Sequence, residues 1–386
     1  MTTITVHQAI ADALAEEMRH DPAVLMFGEG VATKRTDLLA EFGPERVRNT
    51  PLAEAIIAGT AVGAAAMGLR PVVDLLFAPF LTLSMDALIN GAGKLRYLSG
   101  GQFDFPLVVM TLTGAGWGVG GQHNHNLEAL FVHAPGLKVV MPSNAADFKG
   151  LLKASIRDNN PVLFFTDLAL GEEAGEVPAG EHLVPLGRAA VRRRGQDLTL
   201  VSYAKTVGHC LQAAEQLAAQ GVSAEVIDLR TLKPWDEAAV LGSVRRTGRL
   251  VVVHEANRLG GVGAEVAATV AEQAFDSLKA PVRRLGGPDA PSAGNWALEH
   301  AGVPSVAAIV QASLALVGQA PASLIAQSGP GRSFRPSHAT LMTALTGRLI
   351  ADGTKKSAAS SAAPPASSMK APTRKKLAPS VSQRRM

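Results

Sequence analysis

One acid interrupts an otherwise apolar run. Asn49-Thr50-Pro51-Leu52-Ala53-Glu54 leads straight into Ala55-Ile56-Ile57-Ala58-Gly59-Thr60-Ala61-Val62-Gly63-Ala64-Ala65-Ala66. The pattern predicts a helix over 52–68, capped by Thr50 with Pro51 at its first position. A helix apolar on all sides is a buried one. Glu54 falls in its first turn or so. A buried carboxylate without a partner is costly, so this one must be hydrogen-bonded, protonated or used in chemistry. Stabilisation by the positive end of the helix is the plain alternative.

A second group is Gly114-Ala115-Gly116-Trp117-Gly118-Val119-Gly120-Gly121-Gln122-His123-Asn124-His125-Asn126. So many glycines permit a tight backbone path and the close approach of a ligand. The two histidines suit proton transfer near neutral pH. His-x-His also fits a metal pair, but no third ligand stands at a telling spacing. Gly260-Gly261-Val262-Gly263 is a loose glycine signature, whereas a dinucleotide fingerprint turns directly off its strand. Ser155-Ile156-Arg157-Asp158-Asn159-Asn160-Pro161 reads as a helix end entering a strand. Carbonyls exposed there either bind a cation or are simply capped.

The elements that must position these residues alternate along the chain. Apolar strand patterns at 24–29, 72–78, 107–113, 137–142 and 162–167 are separated by helical patterns at 7–18, 52–68, 81–98 and 144–157. A second series has strands at 198–203, 224–229, 250–255 and 282–285, with helices at 206–219, 235–246, 263–273 and 306–317. Continuous apolar strands between helices predict parallel sheets covered on both faces. The fold class is therefore α/β with two parallel-sheet domains, over 1–170 and 191–320. A Gly-, Glu- and Pro-rich linker at 171–190 joins them, and a low-complexity tail covers 321–386.

Composition sorts the remaining possibilities. The chain of 386 residues is 47% hydrophobic and carries a net charge of +4. Residues 321–386 hold eleven Lys or Arg against one acid, Asp352, or +10, which leaves −6 on residues 1–320. A tail of that composition cannot bury enough surface to order itself, apart from a short amphipathic helix near 337–350. A solvated tail is the plain reading of it, and a tether to an acidic partner or nucleic acid the functional one. The folded body suggests neither nucleic acid nor a membrane as partner; no apolar stretch reads as a span. The single cysteine, Cys210, sits in an apolar helical pattern and fits a reducing cytoplasm. With no secretory signal at the start, a cytoplasmic location is the expectation.

Together these motifs resemble the beta subunit of the decarboxylating component of 2-oxo-acid dehydrogenase complexes, of the transketolase-like superfamily. The pyruvate dehydrogenase type is the nearest, and the acetoin and branched-chain relatives are close. The resemblance covers residues 4–318. It rests on Thr50-Pro51-Leu52-Ala53-Glu54, Ala61-Val62-Gly63-Ala64-Ala65, Gly120-Gly121-Gln122-His123, His133-Ala134-Pro135-Gly136-Leu137-Lys138-Val139-Val140 and Ile156-Arg157-Asp158-Asn159-Asn160-Pro161, in that order.

The resemblance implies thiamine diphosphate as cofactor, an electron sink for decarboxylation. In that family a glutamate at the place of Glu54 bonds the cofactor's pyrimidine ring, and an aromatic at the place of Phe80 packs on it. His123 matches a histidine that assists proton transfer and acyl delivery to a lipoyl group. Leu107, Ser155, Asp158 and Asn160 match a potassium site built mainly of carbonyl oxygens. The Gly-Asp-Gly segment and Asn-rich turn that hold magnesium and diphosphate in thiamine enzymes are not found in this sequence. An alpha subunit is therefore expected to supply them within an α2β2 heterotetramer. The C-terminal domain is expected to meet the dihydrolipoyl acyltransferase core, with lipoyl domains visiting the site. The implied reaction is oxidative decarboxylation of pyruvate or a close 2-oxo acid. Acetoin cleavage, a branched-chain substrate, a non-catalytic assembly subunit and a nucleotide-binding oxidoreductase are the alternatives. The chain departs from the family pattern at three places. The 30–42 loop is short and lacks a Gly-aromatic cluster, Asn49 replaces a frequent acid, and His123-Asn124-His125 stands where relatives often show His-Ser-Gln.

Overall fold

The structure, a computed structural model, describes residues 1–319. The expected tail over 321–386 and the helix near 337–350 lie outside the described residues. The first half runs β1 (Thr2–Thr5), α1 (Val6–His20), β2 (Val24–Glu29), α2 (Val31–Lys34), α3 (Thr36–Phe42), β3 (Val47–Thr50), α4 (Glu54–Ala66), β4 (Arg70–Phe77), α5 (Gly93–Leu98), β5 (Val108–Thr113), α6 (Glu128–His133), β6 (Lys138–Val140), α7 (Ala145–Arg157) and β7 (Val162–Asp167). The second half runs β8 (Ala174–Val177), β9 (Ala190–Arg193), β10 (Leu198–Ser202), α8 (Thr206–Ala218), β11 (Ala224–Asp228), β12 (Thr231–Lys233), α9 (Glu237–Thr247), β13 (Leu250–Asn257), α10 (Val262–Gln273), β14 (Arg283–Gly287), α11 (Trp296–Ala301) and α12 (Val306–Val317).

Two parallel sheets result. The first has the order β12-β6-β7-β5-β4-β2-β3, parallel except for β12, which crosses over from the second half to pair antiparallel with β6. The second has the order β14-β13-β10-β11-β9, with β9 antiparallel at its edge. A short ribbon, β1 against β8, occupies part of the stretch between them.

Alternate residues of the central strands fill opposite faces of the first sheet. Val72, Val108, Met110 and Phe164 face α1 and α7; Val73, Val109, Leu163 and Phe165 face α4. The α4 side continues through Tyr203, Ile227 and Val252 of the second half, so the two sheets share one apolar core. The stretch Trp296–Val317 is long and apolar enough to cross a membrane. It is two helices broken at Gly302, and α12 packs its Ile309, Val310 and Leu314 face against α8 within the protein.

Three local expectations need correction. Thr50 does not cap α4: it is held in β3 opposite Glu29, the helix begins three residues after Pro51, and the cap residue, Ala53, makes no side-chain cap. Helix α4 is not buried all round. Ile57, Ala58, Ala61, Val62 and Ala65 face the core, while Ile56 is 70% exposed and Gly59 and Gly63 face open space. A helix apolar all round with one bare side has a surface meant for a partner. Finally, 81–98 is not one helix. A 3₁₀ turn (Ala78–Ser84), a π turn (Asp86–Ala92) and α5 share it. The break lets the chain touch the loop before β6 backbone to backbone. A Cβ on Gly136 (φ +83°) would lie 1.8 Å from the Gly93 carbonyl oxygen.

Helices α1 and α7 are joined by charge as well as by apolar packing. Arg157 donates to both oxygens of buried Glu17 at 2.7 Å, and Lys153 Nζ meets Glu16 and Glu181 at 2.7 Å. Burying such groups is tolerable only as a complete set. Glu17→Ala is therefore expected to lower unfolding free energy by about 3 kcal/mol, the low end for a broken buried pair because Glu181 still neutralises Arg157. Urea unfolding followed by circular dichroism measures this.

Candidate functional site

Parallel strands deliver their following loops to one edge of a sheet, and open α/β sheets bind ligands outside the carboxyl ends of their strands where the strand order reverses. In the first sheet the order reverses between β2 and β4. Glu54 follows β3, Phe77 ends β4 with Phe80 just beyond it, and the glycine loop with His123 follows β5, so all three segments leave the same edge. Asp167 ends β7 there too.

Glu54 is the first residue of α4, where a carboxylate faces unsatisfied backbone N–H groups. It is partly exposed, and no side-chain hydrogen bond engages it among the described residues. The sequence reading of a buried acid is thus corrected: the side chain stands partly open to solvent at the start of α4. Nearby, the hydroxyl of Thr50 is buried without a partner.

Phe77, Phe80 and His123 form an edge-to-face triangle with centroids 6.1, 5.0 and 5.4 Å apart. Leu76 enters it with φ +56°, a left-handed conformation unusual for leucine and stored at the end of β4. Only Phe80 and His123 were legible in the sequence. Phe77 reads as one more apolar strand residue and carries no signal of its own.

The glycine loop is fixed at both ends. Thr113 Oγ1 donates to the His125 carbonyl at 3.1 Å, and Gly114 N donates to the Asn124 carbonyl at 3.0 Å. His123 N donates back to the Gly120 carbonyl at 2.9 Å. The two histidines part company here: His123 lies against the phenylalanines, while His125 Nε2 is 2.9 Å from Asn257 Oδ1. Among the described residues no three metal-ligating side chains converge.

Beneath the loop lies a polar cluster that the sequence reading missed. Lys205 Nζ is 2.6 Å from Glu255 and 3.6 Å from Asp167, and it donates to the Ala115 carbonyl at 2.6 Å. Ala115 N donates to Glu255 in turn. Burial drives both carboxyls upward, Glu255 to about 7 with help from repulsion by Asp167, and Lys205 opposes both. Gly114 (φ +88°) fits because a Cβ there would meet both acids within about 3.2 Å. Glu128 accepts a 2.6 Å bond from Tyr203 across the same seam, and burial raises its pKa as well. The available signal was an acid ending an otherwise buried strand, at Asp167 of β7 and near the end of β13 at Glu255.

The residues matched to a cation site do come together. Val162 N donates to the Leu107 carbonyl at 2.8 Å, which sets Leu107 beside the segment that ends α7. Asp158 N donates to the Ser155 carbonyl at 3.3 Å, and Asn160 donates twice to Asp158 Oδ1 at 2.8 Å. Arg70 already donates to the Asp158 carbonyl at 3.3 Å, and Lys138 pairs with the Asp158 carboxylate. Gly261 and Gly263 have a packing role instead: a Cβ on either would come within 2.7 Å of the buried His254 ring. A cavity of about 560 Å³ opens behind the loop, lined by Ala115, Lys205, His209 and His300 among others; Glu54, Phe80 and His123 do not line it.

Comparison with known proteins agrees with this layout. Residues 2–171 match the pyrimidine binding domain of transketolase, and residues 187–309 match the transketolase C-terminal domain. The chain is 44% identical over 320 residues to the pyruvate dehydrogenase E1 component subunit beta-2, mitochondrial, of Oryza sativa subsp. japonica, covering 80% of this chain and 85% of that one. It is 40% identical over 334 residues to the acetoin:2,6-dichlorophenolindophenol oxidoreductase subunit beta of Bacillus subtilis (strain 168), covering 82% and 98%. Among solved structures, a split gene transketolase described as an inactive beta4 tetramer superposes with a TM-score of 0.68 at 25% identity, covering 82% of this chain and 99% of that one.

Replacing Lys205 by Met leaves two buried carboxyls with no counter-ion. Both have folded pKa values raised above their unfolded ones, so their stabilising contribution is complete at low pH and is lost as pH rises towards about 7. Removing the cation raises them further. Lys205→Met is expected to cost about 3–5 kcal/mol near neutral pH and less at pH 5. Urea unfolding of both proteins at pH 5 and pH 8 tests this; a gap that narrows with rising pH contradicts it.

Proposed function

This chain belongs to the beta subunits of the decarboxylating components of 2-oxo-acid dehydrogenase complexes, pyruvate dehydrogenase E1 type, and we propose that Glu54, Phe80 and His123 form its half of an active site completed by an alpha subunit. The observation that carries the reading is the delivery of all three residues to one sheet edge, with the Glu54 carboxyl at the start of α4 partly open to solvent.

Thiamine diphosphate, when bound, supplies the electron sink that lets a 2-oxo acid lose carbon dioxide. The residues present fit its pyrimidine ring. Glu54 offers an acceptor at a helix start, the buried Thr50 hydroxyl has no partner, and Phe80 offers an aromatic surface. Glu54 would hold a proton at a ring nitrogen. Phe80 would set the ring's tilt and exclude water from one side. His123, held edge-on by two phenylalanines, would present an imidazole for proton transfer during acyl delivery to a lipoyl group.

For the diphosphate and magnesium the chain has no matching segment in its sequence, and an alpha subunit supplying them accounts for the bare face of α4 at Ile56, Gly59 and Gly63. The α2β2 arrangement, docking of the C-terminal domain on an acyltransferase core, and a potassium ion at Leu107, Ser155, Asp158 and Asn160 belong to the same reading. The oxygen-only donors suit a hard cation, which would share the helix end with Arg70. Pyruvate or a close 2-oxo acid is the proposed substrate. Acetoin or a branched 2-oxo acid is the second choice, since the short 30–42 loop removes contacts that relatives make to the substrate.

The test is co-expression with the alpha chain and parallel assays of pyruvate, branched 2-oxo acids and acetoin. Pyruvate is expected to be turned over fastest. Glu54→Gln is expected to lower turnover at least ~100-fold, the scale of losing a proton-transfer group, with the heterotetramer intact by gel filtration. Near-wild-type turnover by that variant would defeat the assignment.

A further inference from the structure

The glycine loop is held from above as well as from below. Glu299 of α11 is only 4% exposed, and its carboxylate accepts from Gly116 N at 3.1 Å, from Gly118 N at 3.0 Å and from the Asn124 side-chain amide. A charged acceptor serving three donors is the strong kind of hydrogen-bonded clamp. The three donors bracket the turn, Gly120 to Asn124, on which His123 stands. Glu299 itself does not touch His123.

Two departures from the family pattern meet this clamp. Asn124 and His125 stand where relatives often show Ser-Gln, and both reach the second half of the chain. Asn124 bonds Glu299, and His125 bonds Asn257, whose own amide donates to the Pro288 carbonyl at 2.9 Å. A serine at 124 would be one atom shorter than the amide that makes the contact.

We propose that Glu299 is the positioning residue for His123: by binding Gly116, Gly118 and Asn124 it fixes the loop so that the imidazole stays against Phe77 and Phe80. The role of His123 in acyl delivery rests on the function proposed above; the clamp does not. The second half of the chain thereby takes part in the active site without lending it a reacting group.

The experiment uses the heterotetramer with the alpha chain. Hydrogen exchange of the 114–121 amides is read by mass spectrometry, and two activities are compared: dye-linked 2-oxo-acid decarboxylation and acyl transfer to a lipoyl domain. Glu299→Ala is expected to speed exchange across 114–121 and to lower acyl transfer ~10- to 100-fold, the scale of a misplaced reacting group, with a much smaller effect on dye-linked turnover. In a His123→Ala background the same change is expected to cause no further loss of acyl transfer. Glu299→Gln keeps an oxygen for the glycine amides and is expected to restore most of both readouts. Unchanged exchange overturns the proposal; so does equal loss of both activities, or a loss that adds to that of His123→Ala. Faster exchange in a tetramer whose wild type lacks 2-oxo-acid activity would instead leave the clamp standing and remove the functional reading.

Discussion

A segment with five glycines in eight residues, Gly114 to Gly121, has no shape of its own. Ordering each glycine costs more backbone entropy than ordering any other residue. Yet this segment must present His123 at a fixed angle to Phe77 and Phe80. The structure solves this with buried charge. Lys205 and Glu255 take the carbonyl and amide of Ala115 from below, and Glu299 takes the amides of Gly116 and Gly118 from above. All three belong to the second half of the chain, so the loop exists in this form only when the two halves share their core. Glycine is also what lets the acids come close, since a side chain at 114 would collide with them.

The strands and long helices were legible because their signals are local. Strands at 24–29 and 162–167 and the helix at 306–317 coincide with the observed bounds, and most of the others agree within a few residues. Short edge pieces such as β3, β9 and β12 were not, because their pairing is set by neighbours distant in sequence. The segment after β4 misled for a related reason. Its periodicity is helical, but contact between Gly93 and Gly136 selects a 3₁₀ turn and a π turn instead. Of the proposed site, Glu54, Phe80 and His123 are named from type, position and resemblance. Lys205 and Glu299 are not, since Lys205 lies in the turn between a strand and a helix, and Glu299 in a six-residue helix too short to leave a periodic pattern. Only the three-dimensional arrangement sets them against a loop 90 to 183 residues away in the chain.

The unfinished surface of α4 is the second consequence of placing chemistry at a chain edge. Its inner face packs like any core helix, while on the outer face Ile56 is 70% exposed and a Cβ added at Gly59 or Gly63 would meet open space. Small residues allow another backbone to approach closely. Apolar neighbours make that approach favourable at about 25 cal/mol per Å² of area removed from water. The same helix begins with Glu54, so whatever covers this surface also closes over the carboxylate.

If Glu54 takes the role proposed for it, that coupling sets when the acid becomes reactive. Partly exposed, the Glu54 carboxyl is open to water. Covering it removes the water, and a carboxylate left bare in a closed site is expensive unless another group hydrogen-bonds to it. A ring nitrogen carrying a proton is such a group, and in a dry crevice its bond to Glu54 is stronger than it would be in water. On the function proposed above, assembly and cofactor binding would then favour one another through one side chain, each supplying what makes the other tolerable. On that reading the first residue of an apolar helix is the fitting place for the acid, because the unsatisfied N–H groups of the helix start offer it donors before any partner covers it.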